Sequence, residues 1–199
     1  MHPASNKPVV THGDLEIGAE TLDACRRGDR EAFRAVYELY KDKIYSIAFY
    51  YFRGDASIAC DVTQQVFLKL FTSIAQFRGD SEFSTWLYRL VVNTCTDAAR
   101  RRKTHLVALD RSVAEARSGR GPHAATPEQD LARVEMTASV KAAVSALPEP
   151  FRLAILLRYF EGLSYDEMAE ALHCSRGTVA SRLSRGHRLL AGMLAAFRT

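Results

Sequence analysis

Five arginines and no acidic residue follow Cys174: Arg176, Arg182, Arg185, Arg188 and Arg198. Just upstream, from Glu161 to Glu170, every charged residue is acidic: Glu161, Asp166, Glu167 and Glu170. Solvated surfaces usually mix their signs, so one-sided guanidinium groups are chemistry for a polyanion. A second set lies in the first half. "FRGDSEFSTWLYRLVVNT", Phe77 to Thr94, puts a polar, glycine-containing loop ahead of an aromatic and basic segment that ends in Arg100, Arg101, Arg102 and Lys103. Aromatic faces stack exposed bases and neighbouring cations hold the strand's phosphates, a combination suited to unpaired DNA. Single aromatics at helical spacing are more often core, so Trp86 and Tyr88 weigh less here than the loop and the basic run.

Bond-making chemistry has no comparable signature. P-loop, GxSxG, HExxH and Rossmann patterns do not occur, and Asp61 and Asp80 lack a spaced acid–base partner. No catalytic residue is expected, and the chain reads as a binding protein rather than an enzyme. The four cysteines (Cys25, Cys60, Cys95, Cys174) are scattered without a CxxC pair, which predicts buried reduced thiols and neither a zinc site nor a disulfide framework. No metal or cofactor is expected. A net charge of +4 over 199 residues is only mildly basic, so the distribution of charge carries the nucleic-acid argument. No run approaches the ~20 apolar residues of a membrane span, and the N-terminus lacks the apolar core of a signal peptide. A cytoplasmic protein without direct membrane insertion is expected.

The elements that must position these groups read as helices throughout. Apolar residues recur at helical spacing from Leu22 to Tyr51 (Phe33, Val36, Tyr37, Tyr40, Ile44, Ile47, Ala48), with Gly28 and Gly54 as breaks. A second helix spans about 57–75, with Val62, Val66, Leu70 and Ile74 four residues apart. A third begins near Ser84 as N-cap and ends in the basic run. Helical spacing disappears between about 105 and 126, where RSGRGPHAATP is small and Gly/Pro-rich, the composition of a flexible linker. It resumes with Leu131, Val134, Ala138 and Val144, stops at Pro148 and Pro150, and continues in a short helix from Phe151 to Phe160. No strand alternation occurs, so the fold class is all-α: two small helical domains joined by a linker.

The acidic and basic segments form a helix-turn-helix. Ser164 followed by Glu167 fits a capping box, after which Met168, Ala169 and Leu172 face a core. Ser175 is a second N-cap after a tight His173–Cys174 turn. At about 100° per residue, Val179, Leu183, Gly186 and Leu190 share one face of the second helix. Gly177, Ser181, Ser184, Arg185 and Arg188 take the other, with Thr178, Arg176 and Arg182 at its edges. Short polar side chains let a helix enter the major groove, Arg185 can fork to guanine, and flanking donors hold phosphates.

Four stretches, "DVTQQVFLKLF" (61–71), "FRGDSEFSTWLYRLVVNT" (77–94), "LPEPFRLAILLRYFEGLSYDEMAEAL" (147–172) and "GTVASRLSRGHRLL" (177–190), resemble the extracytoplasmic-function sigma factors of the sigma-70 family. The resemblance implies a bacterial initiation factor that binds core RNA polymerase, reads a −35 promoter element as duplex, and melts a −10 element. Residues 1–19 would be a disordered leader, 20–104 sigma region 2, 105–127 the linker, and 128–199 sigma region 4. By position, Phe77, Arg78, Gly79, Asp80 and Ser81 fall in the base-capturing loop and Asn93 at the −10-contacting asparagine; Trp86, Arg100 and Arg101 complete that set. Asp61, Gln64, Gln65, Phe67 and Lys69 fall on the segment that grips the polymerase. Arg176, Gly177, Thr178, Ser181, Arg182, Ser184, Arg185 and Arg188 make the −35 set. An anti-sigma factor is implied as a further partner.

The chain departs from the family pattern at Gln65 (often Glu), Ala180 (frequently Arg) and Gly186–His187 (commonly Ala-Arg), so no familiar −35 sequence is transferred to it. The linker mixes Arg111, Arg117 and Arg120 with Asp110, Glu115 and Glu128 and lacks the acidity of a nucleic-acid mimic. The alternative function is a stand-alone helix-turn-helix regulator, which would bind duplex without polymerase.

Overall fold

A computed structural model describes residues 17–110 and 131–195, and eight α-helices without a strand account for almost all of them. The order is α1 (Ala19–Arg26), α2 (Arg30–Tyr51), α3 (Ala56–Ser73), α4 (Phe83–Asp110), α5 (Leu131–Ala146), α6 (Glu149–Tyr159), α7 (Tyr165–Ala171) and α8 (Arg176–Ala195), with a 3₁₀ turn at Ile74–Gln76. The all-α expectation holds. Most of the expected linker (111–127) and of the leader (1–16) lies outside the described residues.

Local chemistry sets the helix starts. α3 starts at Ala56, close to the expected position, with Asp55 as its cap, its carboxylate accepting from the Ile58 N–H at 3.1 Å. Asp29 does the same for α2, accepting from Glu31 and Ala32. α4 starts at Phe83, so Ser84 is inside the helix rather than its cap, and the helix runs past the basic run to Asp110. Pro148 ends the extended entry to α6, and Pro150 lies in its first turn, where a missing N–H costs nothing.

In the first half, Val36, Ile44, Ile47 and Ala48 of α2 meet Ala59, Val62, Val66 and Leu70 of α3 and Leu87, Val91 and Cys95 of α4, all buried. The four-residue spacing read in α3 is the stripe that does this. In the second half Leu147, Leu156, Leu157, Met168, Ala171, Val179 and Leu183 form the interior. Each such Leu or Ile stabilises by roughly 1.5–3 kcal/mol over its exposed form. The expected reduced thiols are only half buried as a set: Cys25 and Cys95 are interior, but Cys174 is partly accessible and Cys60 exposed.

The two halves pack on one another. α6 lies against α2, and α7 against α4. The Phe160 ring meets Tyr50 at 5.2 Å between centroids. Arg152, only 4% exposed, donates to the Leu147 carbonyl at 2.6 Å and to the Tyr51 carbonyl at the end of α2. That end is the negative pole of the helix, and its last carbonyls have no intrahelical donor. Arg152 therefore caps α2 from the other half of the chain.

Candidate nucleic-acid interface

α8 is built as its periodicity predicts. The turn before it holds His173 in the left-handed region (φ 47°). Ser164 and Glu167 form the expected capping box on α7, and Ser175 Oγ accepts from the Thr178 N–H at 3.2 Å. Val179, Leu183 and Gly186 are buried and Leu190 half-buried, while Arg176, Gly177, Ser181, Ser184, Arg185 and Arg188 are exposed. Gly186 is where α8 comes closest to α6: a Cβ there would stand 3.2 Å from Ile155 Cγ1.

The arginines of α8 differ in how they are held. Arg176 lies 3.5 Å from Asp166 of α7, and half-buried Arg182 points at the Cys174 thiol, 3.8 Å away. No described residue forms an ion pair with Arg185 or Arg188. His187 is tied back to Tyr159 of α6 at 2.8 Å, beside the exposed face. This pairing across 28 residues has no periodic signal.

The loop of the first half separates into an anchor and a tip. Phe77 and Trp86, expected at the −10 element, are each 7% exposed and pack on one another and on Phe83, with ring centroids 5.4–6.0 Å apart. Their faces are spent on the core, so they position the loop rather than offering a surface to a base. Arg26 of α1 completes the anchor, donating to the Phe77 carbonyl at 2.7 Å with its guanidinium 5.6 Å from the Phe77 ring centroid. Arg78, Gly79 and Asp80 are exposed and Ser81 half-exposed. Gly79 has φ 78° with open space around its Cβ direction, so backbone conformation and not crowding selects glycine there.

Along α4, Arg89, Asn93, Thr96 and Arg100 fall within about 60° of one another at 100° per residue. Asn93, Thr96 and Arg100 are exposed. Arg100 is 2.8 Å from Asp97, while Arg101 turns to the neighbouring helix and donates to Gln65 of α3 at 3.1 Å. Arg100 and Arg101 therefore leave α4 on different sides.

The segment expected to grip the polymerase splits as well. Gln64 and Phe67 line an open groove of about 510 Å³ between α2 and α3, with Phe33, Tyr37, Leu68 and Phe71 as its apolar wall and Arg30 and Arg34 at its rim. Leu68 is 66% and Phe71 58% exposed. Tyr37, counted with the helical core from its spacing, is also exposed. Gln65 and Lys69 sit on the flank toward α4, Lys69 being 3.8 Å from Asp97, and Asp61 is exposed nearer the start of α3. Among the described residues no cluster of His, Cys, Asp and Glu could hold a metal, and no helix is long and apolar enough to cross a membrane.

Comparison with known proteins matches both halves. The Sigma-70 region 2 profile covers residues 36–105 and the Sigma-70 region 4 profile residues 137–190. The chain is 37% identical over 186 residues to the RNA polymerase sigma-H factor of Pseudomonas aeruginosa, spanning 88% of this chain and 92% of that protein. It is 32% identical to the ECF RNA polymerase sigma factor SigW of Bacillus subtilis, over 83% of this chain and 90% of that one. Of solved structures, the sigma factor RpoE in complex with the anti-sigma factor NepR from Bartonella quintana superposes with a TM-score of 0.65 at 24% identity, over 82% of this chain and 96% of that one. CnrH in complex with the cytosolic domain of CnrY gives 0.64 at 20%, over 91% and 99%. At those identities the structures speak for the fold. With both regions present in this order, and relatives that follow them nearly end to end, the chain belongs to the sigma-70 family, in its extracytoplasmic-function branch.

Proposed function

We propose that this chain is an RNA polymerase sigma factor: it binds bacterial core RNA polymerase, reads a −35 element as duplex through α8, and reads and opens a −10 element through α4 and the Arg78–Ser81 loop. The observation that carries the reading is the division of labour on α8. Its apolar stripe turns inward, with Val179, Leu183 and Gly186 buried, and its opposite face leaves Arg185 and Arg188 without an ion pair to any described residue, among short polar side chains. That is the chemistry of a helix that enters the major groove. In the first half, exposed Asn93 and Arg100 on α4 and a loop tip held by buried aromatics suit an unpaired strand. Asp61, Gln64 and Phe67, with the groove beside them, supply a docking surface for polymerase, and Gln65 and Lys69 its flank. Binding energy separates the strands, and polymerase performs the chemistry, so the chain itself is no enzyme. It works in the cytoplasm with polymerase. The solved complex with NepR, an anti-sigma factor, supports a partner of that kind here. The domain limits of 20–104 and 128–199 go with this assignment.

The test is multi-round transcription by purified bacterial core polymerase over a randomised promoter library, with and without the chain. Transcripts sharing two motifs at constrained spacing are expected. Arg185→Ala should relax one position of the upstream motif, a loss of about 1–3 kcal/mol in discrimination. Unchanged polymerase output, with the chain alone retarding duplex DNA, would overturn the proposal in favour of the stand-alone regulator.

A further inference from the structure

The loop assigned above to the unpaired −10 strand is held from its two ends. Among the described residues no hydrogen bond or ion pair engages Arg78, Gly79, Asp80 or Ser81. The shape of the tip is therefore set where the loop leaves Phe77 and where it enters α4. At the far end the Trp86 N–H donates to the Glu82 carbonyl at 3.1 Å, and Phe83 is buried. At the near end the Phe77 N–H bonds back to the Ile74 carbonyl at 3.1 Å, and its ring packs on Phe83 and Trp86. A buried ring fixes one point in space, but the peptide plane between Phe77 and Arg78 can still turn about its flanking dihedrals. The carbonyl of that plane is the one Arg26 holds at 2.7 Å.

Arg26 is placed for this by α1. Leu22, one turn earlier on the same face, is buried, as is Cys25, and the helix packs on α2 and on the 3₁₀ turn. The N–H groups of Gly28 and Asp29 donate back to the Cys25 and Ala24 carbonyls at 2.9 and 3.0 Å, which ties the end of α1 to the start of α2. The guanidinium is oriented from two sides. Asp23 Oδ1 lies 2.5 Å from Nη1, while Nη2 takes the Phe77 carbonyl. Both amino groups are thus engaged, and a strand phosphate would have to compete with a carboxylate already in place. This favours a hold on the loop over a direct contact with DNA. α1 lies wholly outside residues 36–105, the part of the chain that the region 2 profile matches.

We propose that Arg26 is a positioning residue for −10 reading: by fixing the Phe77 carbonyl it sets the peptide plane from which the Arg78–Ser81 tip departs, and so the shape in which that tip meets an unpaired base. The proposal rests on the sigma reading of the loop. Without the hold, the tip is in its competent shape for only a fraction f of the time, and affinity for the preferred base falls by 1/f. Bases that the tip does not grip lose nothing, so the effect is confined to one position of the downstream motif.

Two full-length variants test this in holoenzyme with bacterial core polymerase. Arg26→Met keeps an unbranched stem over the Phe77 ring but cannot donate, and Arg26→Lys restores a donor and the charge. Transcription over the randomised promoter library reads base preference at every position. Anisotropy of a labelled single-stranded DNA carrying the downstream motif selected by the wild type reads affinity against salt. Arg26→Met is expected to lose about 3- to 10-fold preference at a single downstream position, the loss for f between about 0.3 and 0.1. The upstream motif and the salt slope should be unchanged, and Arg26→Lys should recover part of the loss. Urea midpoints of both variants keep loss of stability apart from loss of reading. An unaltered downstream motif in Arg26→Met overturns the proposal. So does an even loss across all positions with a salt slope lower by about 0.7, the mark of a lost phosphate contact on a single strand. Either result leaves two-motif transcription by the wild type intact, whereas absence of that transcription removes the sigma reading itself.

Discussion

Replacing Arg152 with leucine should uncouple the two halves of the molecule. The guanidinium makes two charge-assisted hydrogen bonds, to the Leu147 carbonyl within its own domain and to the Tyr51 carbonyl of the other. Each contributes about 1.5–3 kcal/mol, and a buried carbonyl left without a donor costs about 1–3 kcal/mol. Some of this is offset. Burial, and then the charge of Arg53, lower the Arg152 pKa, and its buried Nε has no hydrogen-bond partner among the described residues, so a leucine relieves a desolvation cost. The net loss is about 2–4 kcal/mol, or a fall of roughly 1–2 M in urea midpoint for a slope near 2 kcal/mol/M. Trp86, the chain's one tryptophan, belongs to the first half, so its fluorescence reports region 2 while far-UV circular dichroism reports both halves. In the wild type the two curves should coincide, as for one cooperative unit. In Arg152→Leu the dichroism should fall first, ahead of fluorescence. Arg152→Lys should lie between, because an ammonium cannot reproduce the fork to two carbonyls. Superimposable curves with an unmoved midpoint in Arg152→Leu would refute the view that this side chain joins the domains.

Gly186→Leu should destabilise region 4 by about 1–3 kcal/mol through overpacking, partly offset by better helix propensity. Ile155 and Phe151 already stand where its side chain would go, so adding Ile155→Ala should recover part of the loss in a double-mutant cycle on urea midpoints, and strict additivity would argue against the contact. Brief alkylation with iodoacetamide at neutral pH should modify Cys60 first and spare Cys95. Burial, and then the Glu149 charge, push the Cys95 thiol up to about 12, which leaves almost no thiolate; mass spectrometry of peptides reads the outcome, and early modification of Cys95 would contradict its burial.

What could be read from the sequence was local. The capping box at Ser164 and Glu167, the N-cap at Ser175 and the two faces of α8 depend on residues three, four or seven apart, and periodicity records such spacings. Helix starts were less legible, because Asp55 and Ser57 are both acceptable caps by type and only the backbone decides. Trp86 illustrates a different gap: its residue type suits base stacking and core packing equally, and neighbours Phe77 and Phe83 settle it for the core. Contacts at long range left no pattern at all. Arg26 is 51 residues from the Phe77 carbonyl it holds, and Tyr88 is 73 from Glu161. For the same reason the charge reversal between Glu161–Glu170 and α8 was visible, while the object that the acids face was not.

α2 also acts as a ruler. Its early turns carry the wall of the open groove through Arg30, Phe33, Arg34 and Tyr37, and its last residues, Tyr50 and Tyr51, seat the second domain. From Arg34 to Tyr51 is about 26 Å of helix at about 1.5 Å per residue. A ligand in the groove and region 4 on its seat therefore do not compete for the same atoms. A single bridging segment that engaged both ends would need about eight residues in extended form or about seventeen as a helix. That length sets the scale of a one-piece ligand that reaches from Arg34 in the groove to the seat of the second domain at Tyr51.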